Sequence, residues 1–388
     1  RVLGLIPAGL IGPELRALSV DGVSLFGQAR ARDVSEWPLT APGPSDFDPA
    51  ATWTLAAGGD VMLDREVYRK SVIQKKGPDY PWNGGFAKIT SRVCCTKDGG
   101  PAITTKRVGP RGKVRELLSG ADIAVVNHEG PAPDDHSYHP SGLIFTFDPD
   151  LLAGVAKAGV DVVSLANNHI RNAGSRGVRE TIRNMEAWGI AAFGAGSNPR
   201  KARAPECLDQ DGTRVCFLGY NAVNTTVHSV TRERAGAAEL VPRHVRADIK
   251  ALRADGADVV VVMPHWGPEY VTRVTPRQRR QARAMVRAGA DAVLGAHSHV
   301  TGPIEFIEGV PVLYSMGDLI FDLPRFEATE EGVIAELTFH RGELAQLELH
   351  PTVIVDRSQV NLLRREQDGA VVIKRMRSAS KRLDPGDR

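Results

Sequence analysis

The sequence predicts an α/β fold, and three observations carry that expectation. Four times a helix-like stretch ends in glycine and is followed within two residues by aspartate: Gly120-Ala121-Asp122, Gly159-Val160-Asp161, Gly256-Ala257-Asp258 and Gly289-Ala290-Asp291. Each aspartate opens an apolar run rich in Val, Ile, Leu and Ala. Each run leads into a polar cluster: Asn127-His128-Glu129, Asn167-Asn168-His169, His265-Trp266-Gly267 and His297-Ser298-His299. Glycine after a helix takes the left-handed cap that a side chain resists. Near-continuous branched runs suit strands buried on both faces. Helix–strand alternation implies crossover units, and in such sheets ligands sit beyond the carboxyl ends of the strands.

Along the chain, residues 1–36 read as an arm or as the end of a preceding domain. The chain begins at Arg1 rather than Met, as expected of a processed or truncated product. A linker is expected at 37–51, where Pro38, Pro42, Pro44 and Pro49 exclude helix and ladder pairing. The main domain should occupy 52–384, opening on the strand at Trp53–Ala57. From about Arg69 to Arg115 mixed charge, Gly and Pro predict an insertion loop, a candidate lid. One helix should run from about Ser175 to Trp188, before Gly189. Another should start at Thr275-Pro276-Arg277-Gln278, a capping box with Pro at the first helical position, and end before Gly289. Between and after the helices, 303–307, 310–315, 333–340 and 344–350 alternate as antiparallel strands do.

There are four cysteines. Cys207 and Cys216 flank a predicted hairpin turn at Asp211-Gly212. Opposite each other at a non-hydrogen-bonded position they suit a disulfide, and hence an oxidising compartment. Two small buried thiols are the alternative. Cys94 and Cys95 form no metal-knuckle spacing.

Composition excludes some functions. Lys and Arg number 49 against 46 Asp and Glu, a formal charge of +3. That balance lacks the footprint of a nucleic-acid-coating protein, so no nucleic-acid partner is expected. No apolar run approaches the roughly 20 residues that span a bilayer.

The expected strand ends carry Asp60, Glu129, Asn168, His169, His265, His297 and His299. Imidazole with carboxylate suits Zn, Mn or Fe. His297 and His299 can meet one site only if the chain turns, which Gly295 and Gly302 permit. Each cluster alone has a plain structural reading, as a cap, a turn or a surface histidine pair. Their joint occurrence at five strand ends points to a divalent-metal site.

Six motifs, in order over about 53–350, carry a resemblance. They are Gly59–Leu63, Asn127–Pro131, Ser164–His169, His265–Tyr270, Gly295–Val300 and Tyr314–Asp322. Together they resemble the CapA family of bacterial capsule and poly-γ-glutamate synthesis proteins, which is similar to the calcineurin-like metallophosphoesterases. The resemblance implies a four-layer α/β/β/α sandwich around a two-metal site that activates water. It implies that Asp60, Glu129 and His299 hold one metal, and that Asn168, His265 and His297 hold the other, with Glu129 bridging. It makes His169 the general acid or a donor to the transition state, and Arg65 a partner for an anionic group. Its departures are Met62 where phosphoesterases carry His, Glu129 for Asp, His128 for Leu, Arg171-Asn172 for Asp, and Asp318 in place of Asn.

The resemblance implies a metal-dependent hydrolase acting at the cell envelope on an anionic polymer or phosphorylated substrate. An N-terminal anchor and a membrane-bound synthase partner belong to that expectation. A non-catalytic polyanion-binding subunit of such a synthase, which Met62 favours, and a metal-assisted peptide epimerase are the alternatives. Trp266 and Tyr270 are read as stacking on substrate or as packing. The stretch Asp134–His139 is read as a solvated loop, with lining of the pocket as the alternative. Arg277, Arg279, Arg280 and Arg283 are read as a solvated helix face.

Overall fold

The strand Thr52–Val61 is buried along its whole length, and the rest of the molecule is arranged around it. The computed structural model describes residues 17, 19, 22–28, 30–33, 48–92 and 102–383. On one side, Thr52–Val61 pairs in parallel with Ile123–His128. That strand continues to Val162–Ser164 and then Ala191–Phe193, each in parallel. On the other side it pairs antiparallel with Glu331–His340, which leads to Glu343–Val355 and Gln359–Leu363. The short strand Asp318–Ile320 also joins it in parallel. A second sheet is ordered Ile304–Ile307, Val310–Leu313, Ala292–Leu294, Val259–His265, Thr213–Asn221, Glu206–Gln210.

Three apolar clusters separate four layers. Trp53, Leu55 and Val125 of the first sheet meet Phe217, Val261 and Leu294 of the second between the sheets. Leu118, Leu152 and Val178 of the helices Lys113–Ser119, Leu152–Lys157 and Gly174–Ala187 cover the outer face of the first. Ile249 and Met285 of the helices Pro242–Ala254 and Pro276–Ala288 cover the second. The α/β/β/α sandwich is therefore present. Trp53 stacks on Phe339 with ring centroids 4.5 Å apart inside the central layer.

The repeated aspartates have a structural role. Asp122 accepts from the Thr54 N–H and hydroxyl, each at 2.8 Å. Asp161 accepts from the Ala124 N–H at 2.7 Å, Asp258 from Arg214 at 2.8 Å and Asp291 from Val260 at 2.7 Å. In each case the aspartate's own N–H donates to the carbonyl of that same neighbour. Each crossover thus clamps the incoming strand to its neighbour at one register. A slip would leave a backbone donor and a carboxylate unmatched.

Local expectations met the structure closely at the helices. Pro276–Ala288 carries the Thr275/Gln278 capping box and ends at Gly289, whose φ is +113°. Gly174–Ala187 ends before Gly189, whose φ is +72°. The later strands pair antiparallel as the alternation predicts.

Two expectations need correction. Residues 69–115 are not one loop. Phe86–Arg92 and Ile103–Val108 form an antiparallel hairpin that extends the first sheet through Gln359–Leu363. Its alternation is short, with Ala87 and Ile103 inward and Lys88 and Lys106 facing out, so mixed charge here marks an edge hairpin. Cys94 and Cys95 fall outside the described residues. Arg279 is buried rather than solvated and binds Glu305 at 2.7 Å, while Glu305 also accepts from the Tyr314 hydroxyl.

The described part of the N-terminal arm packs against the main domain. Leu25 and Phe26 meet Ala345, and Arg30 reaches Asp122 at 2.7 Å. Most of the expected Pro-rich linker lies outside the described residues.

Cys207 and Cys216 are opposed across the hairpin Glu206–Gln210/Thr213–Asn221 and form a disulfide, with Cα atoms 4.1 Å apart. The pair is therefore a cross-link rather than two buried thiols. Reduction of the unfolded protein should expose two further thiols by Ellman titration. Replacing both with serine should cost about 2–3 kcal/mol in denaturant unfolding.

Candidate functional site

The site is built where strands of the first sheet end. The register of Thr52–Val61 shifts between Ala57 and Asp60, a bulge at Gly58-Gly59. The bulge brings Asp60 level with Asn127 on one neighbour and with Asp318 on the other. A Cβ on Gly59 would lie 1.8 Å from the Gly317 carbonyl oxygen, so only glycine lets these strands approach. The Glu129 N–H donates to the Val61 carbonyl at 2.8 Å and holds the carboxylate beside Asp60.

The second sheet supplies imidazoles. His265 ends its strand, and His297 and His299 follow Ala292–Leu294. The turn that lets both histidines reach one place is made by the histidines themselves. Their φ values are +92° and +58°, a left-handed region that side chains resist. Gly295 serves close packing instead, since a Cβ there would sit 2.3 Å from the Tyr314 carbonyl oxygen.

All six expected ligands gather. One donor atom from each of Asp60, Glu129 and His265 lies within 4.8 Å of the others. The same holds for Asp60, His299 and Asp318, and for Glu269, His297 and His299. Asn168 Oδ1 is 2.7 Å from His265 Nε2, and Glu129 Oε1 is 3.3 Å from it. The rings of His265 and His297 are 4.7 Å apart. Asp60 and His299 each belong to two of these groups, Asp60 because the bulge sets it between two strands.

Asp318 and Glu269 were not anticipated. Asp318 opens its strand rather than closing it, so the rule of carboxyl ends misses it. Only the parallel register Asp60–Asp318 brings it in. Asp318 Oδ1 is 2.8 Å from His299 Nδ1, which leaves Nε2 of that ring as the free nitrogen. Glu269 is an exposed loop carboxylate inside the His265–Tyr270 motif, where its place was legible but its role as a donor was not assigned.

Asp60, Glu129 and Asp318 are at most 1% exposed. Burial, and then the neighbouring Glu129 charge, push the Asp60 carboxyl far above its ordinary range. Burial pushes Glu129 up to about 7 and Asp318 up to about 6, against the pull of His299. Burial works against protonation of His299, yet Asp318, then Asp60 and Glu129, raise it to about 9. Burial and the charge on His299 push His265 well below its ordinary value. Burial pushes His297 down as well, with His265 next. One imidazolium therefore faces three buried carboxylates.

Among the described residues, Glu129 Oε1, Asp318 Oδ2, His265 Nδ1 and His297 Nδ1 are buried without a hydrogen-bond partner. Such a cluster is costly as it stands. A divalent cation would satisfy the oxygens and favour neutral imidazole at once. The donor set fits one.

The family Bacterial capsule synthesis protein PGA_cap matches residues 54–323. The chain belongs to that family. It is 27% identical over 312 residues to the capsule biosynthesis protein CapA of Bacillus anthracis, covering 79% of this chain and 68% of that one. It is 26% identical over 241 residues to the PGA biosynthesis protein CapA of Bacillus subtilis, covering 61% and 63%. Among solved structures, the NAD nucleotidase of Haemophilus influenzae is similar over 86% of this chain and 68% of that one, with 12% identity and a TM-score of 0.43.

In this PGA_cap chain, His169 and Arg65 flank the carboxylate cluster. His169 stacks on Phe145 at 4.3 Å, and Asn172 Nδ2 donates to its Nδ1 at 3.2 Å. That bond places the ring proton on Nε2. Burial, then the charges of His265 and His228, push His169 down to about 3, so its ring is a neutral donor. Arg65 lies over Phe145 and Phe321 at 5.4 and 5.8 Å and donates to the Asp322 carbonyl at 3.3 Å. Burial lowers its pKa while Asp322 and Asp64 oppose that.

Trp266 is 1% exposed, and its Nε1 donates to the Tyr314 carbonyl at 3.1 Å, so it packs rather than stacking on substrate. Tyr270 covers the His299 ring at 5.8 Å. The stretch Asp134–His139 is tied down at its end, where the buried Asp64 accepts the His139 N–H at 3.0 Å and meets its Nδ1 at 2.6 Å. Met62 turns its sulfur toward the Asp64 N–H at 3.1 Å.

Titration with Mn²⁺ or Zn²⁺ should raise the melting temperature, by about 2.7 kcal/mol of added stability at a hundredfold excess over Kd. A chelator should reverse the rise. Asp318→Asn should weaken affinity about 10–100-fold by calorimetry.

Proposed function

We propose that this protein is a metal-dependent hydrolase of capsule or poly-γ-glutamate synthesis, holding one or two divalent cations (Mn, Zn or Fe) among Asp60, Glu129, Asn168, His265, His297, His299 and Asp318. The observation that carries the reading is the convergence of three desolvated carboxylates with imidazoles whose nitrogens lack partners. A divalent cation bound there neutralises the oxygens of a transferring group and acidifies water.

The chain's own residues then have distinct roles. His169, neutral and with its proton on Nε2, donates a hydrogen bond to the charge that develops on the leaving oxygen. Arg65 meets an anionic group of the substrate. Phe145 and Phe321 hold the guanidinium and keep its surroundings dry. The substrate is an anionic polymer or a phosphorylated intermediate at the cell envelope. The relatives' names support capsule synthesis, and the Cys207–Cys216 disulfide supports an oxidising compartment. No helix among the described residues is long and apolar enough to cross a membrane.

A second reading is a non-catalytic accessory subunit of a membrane-bound synthase. Met62 favours it, because its sulfur is turned to a backbone N–H and offers no ligand nitrogen.

Elemental analysis of purified protein should return at least one divalent metal per chain. Turnover of p-nitrophenyl phosphate or of γ-linked glutamate oligomers should stop on chelation. His169→Ala should lower kcat by about 10²–10⁴-fold with metal content unchanged. Stoichiometric metal and tight oligomer binding without turnover would favour the accessory reading. Metal-free protein would end both.

A further inference from the structure

Beyond His169 lies a group of basic side chains that the proposed chemistry does not use. The His169 and His228 rings are 6.4 Å apart. His228 closes the short helical turn Thr225–His228. Arg171 reaches this turn from the loop after His169 and donates to the Val227 carbonyl. Arg234 donates to the Thr226 and Ser229 carbonyls, both at 3.0 Å. The two guanidiniums and the imidazole thus share one scaffold.

No carboxylate pairs with any of the three among the described residues. Every hydrogen bond that Arg171 and Arg234 make there is to a backbone carbonyl. Several other buried or partly buried arginines are matched by acids, Arg30 by Asp122, Arg92 by Glu331, Arg203 by Asp248 and Arg279 by Glu305, whereas Arg65 bonds a carbonyl as these two do. Arg171 Nε, Arg234 Nε and His228 Nδ1 are buried with no partner at all. The charges also act on one another: Arg234 disfavours the charge on Arg171, and both disfavour protonation of His228, after burial. Two like charges held on one turn, with donors to spare, are arranged for an anion from outside.

We infer that Arg171, His228 and Arg234 form an anion subsite beside His169, which takes a carboxylate or phosphate of the substrate one unit away from the reacting group. This deepens the proposed function and rests on it for the word substrate, though the subsite itself rests on the cluster alone. The side chains supply fork-shaped donors to a planar or tetrahedral oxyanion, while Arg65 meets a second anion elsewhere along the site. A polymer with a carboxylate on every unit would occupy both at once.

The test is binding, measured by calorimetry on the metal-loaded full chain, with two probes. A γ-linked pentaglutamate supplies repeated carboxylates, and inorganic phosphate supplies a single anion. Arg171→Glu and Arg234→Glu should each weaken the better-bound probe about tenfold or more, and Arg171→Lys should recover part of the loss. The parent's affinity should fall with salt more steeply than that of the variants. Metal content and melting temperature, read on the same samples, identify a variant that has lost its fold. In that case Arg171→Gln and Arg234→Gln, which keep volume and some donors, replace it with the same expected loss. Preference for the pentaglutamate assigns the subsite to polymer carboxylate, and preference for phosphate assigns it to a phosphorylated substrate. If the parent binds neither probe, or the variants bind as the parent does, the subsite is wrong. Charge-dependent binding without turnover in the parent would leave the subsite standing and remove the hydrolase reading. Turnover with KM unchanged in the variants would do the reverse.

Discussion

Burying charge of one sign governs this molecule. Asp60, Glu129 and Asp318 are taken out of water at the meeting of three strands, with a single imidazolium, His299, drawn up to about 9 to answer them. An isolated carboxylate in such surroundings would simply take up a proton, and burial does push all three upward. His265 Nδ1 and His297 Nδ1 are buried nearby without partners. Protonated carboxyls beside neutral imidazoles would satisfy charge but leave donors and acceptors misaligned. A cation held in this place would satisfy both requirements.

That place depends on register. Asp60 meets Asp318 and Asn127 only because Thr52–Val61 is clamped between its neighbours and bulged at Gly58-Gly59. The clamps are the aspartates of the repeated Gly-x-Asp units, each tied twice to the adjacent strand. They lie at the start of the strands, while the chemistry lies at the other end. One residue of slip at the clamp would turn every side chain at the site toward the opposite face. Asn127 then donates to Asp60 Oδ1 at 2.7 Å and to Glu129, which aligns the two carboxylates.

Part of the backbone strain lies in the same region, the rest at turns elsewhere. His297, His299, Arg65 and Tyr270 have φ values of +92°, +58°, +53° and +64°. Each costs backbone energy that the surrounding packing must offset. Tyr270 lies against His299, and its N–H donates to the Ser298 carbonyl at 2.8 Å. Arg325 lies over the Tyr270 ring at 4.3 Å. The loop at His139 is fixed by the Asp64 carboxylate, which is fully buried. The walls of the site are therefore held by neighbours rather than by their own conformational preference.

The alternation of helix and strand, the helix ends and the hairpin that opposes Cys207 to Cys216 were legible in the residues alone, while the structure chose the disulfide over two thiols. Those are local matters: a capping box, a left-handed glycine and a two-residue turn act over a few residues. The sequence also determined that Asp60, Glu129, Asn168, His265, His297 and His299 stand at strand ends, because burial on both faces leaves polar residues nowhere else to go. Long-range pairing settled which donors lie together: Asp318 enters through a register between strands from opposite ends of the domain, and a bulge sets Asp60 beside it. The edge hairpin of 86–108 and the burial of Arg279 were likewise decided by long-range partners, Gln359–Leu363 and Glu305. A side chain's neighbours across a sheet are fixed by pairing free energy summed along whole strands, and no short window of sequence contains that sum.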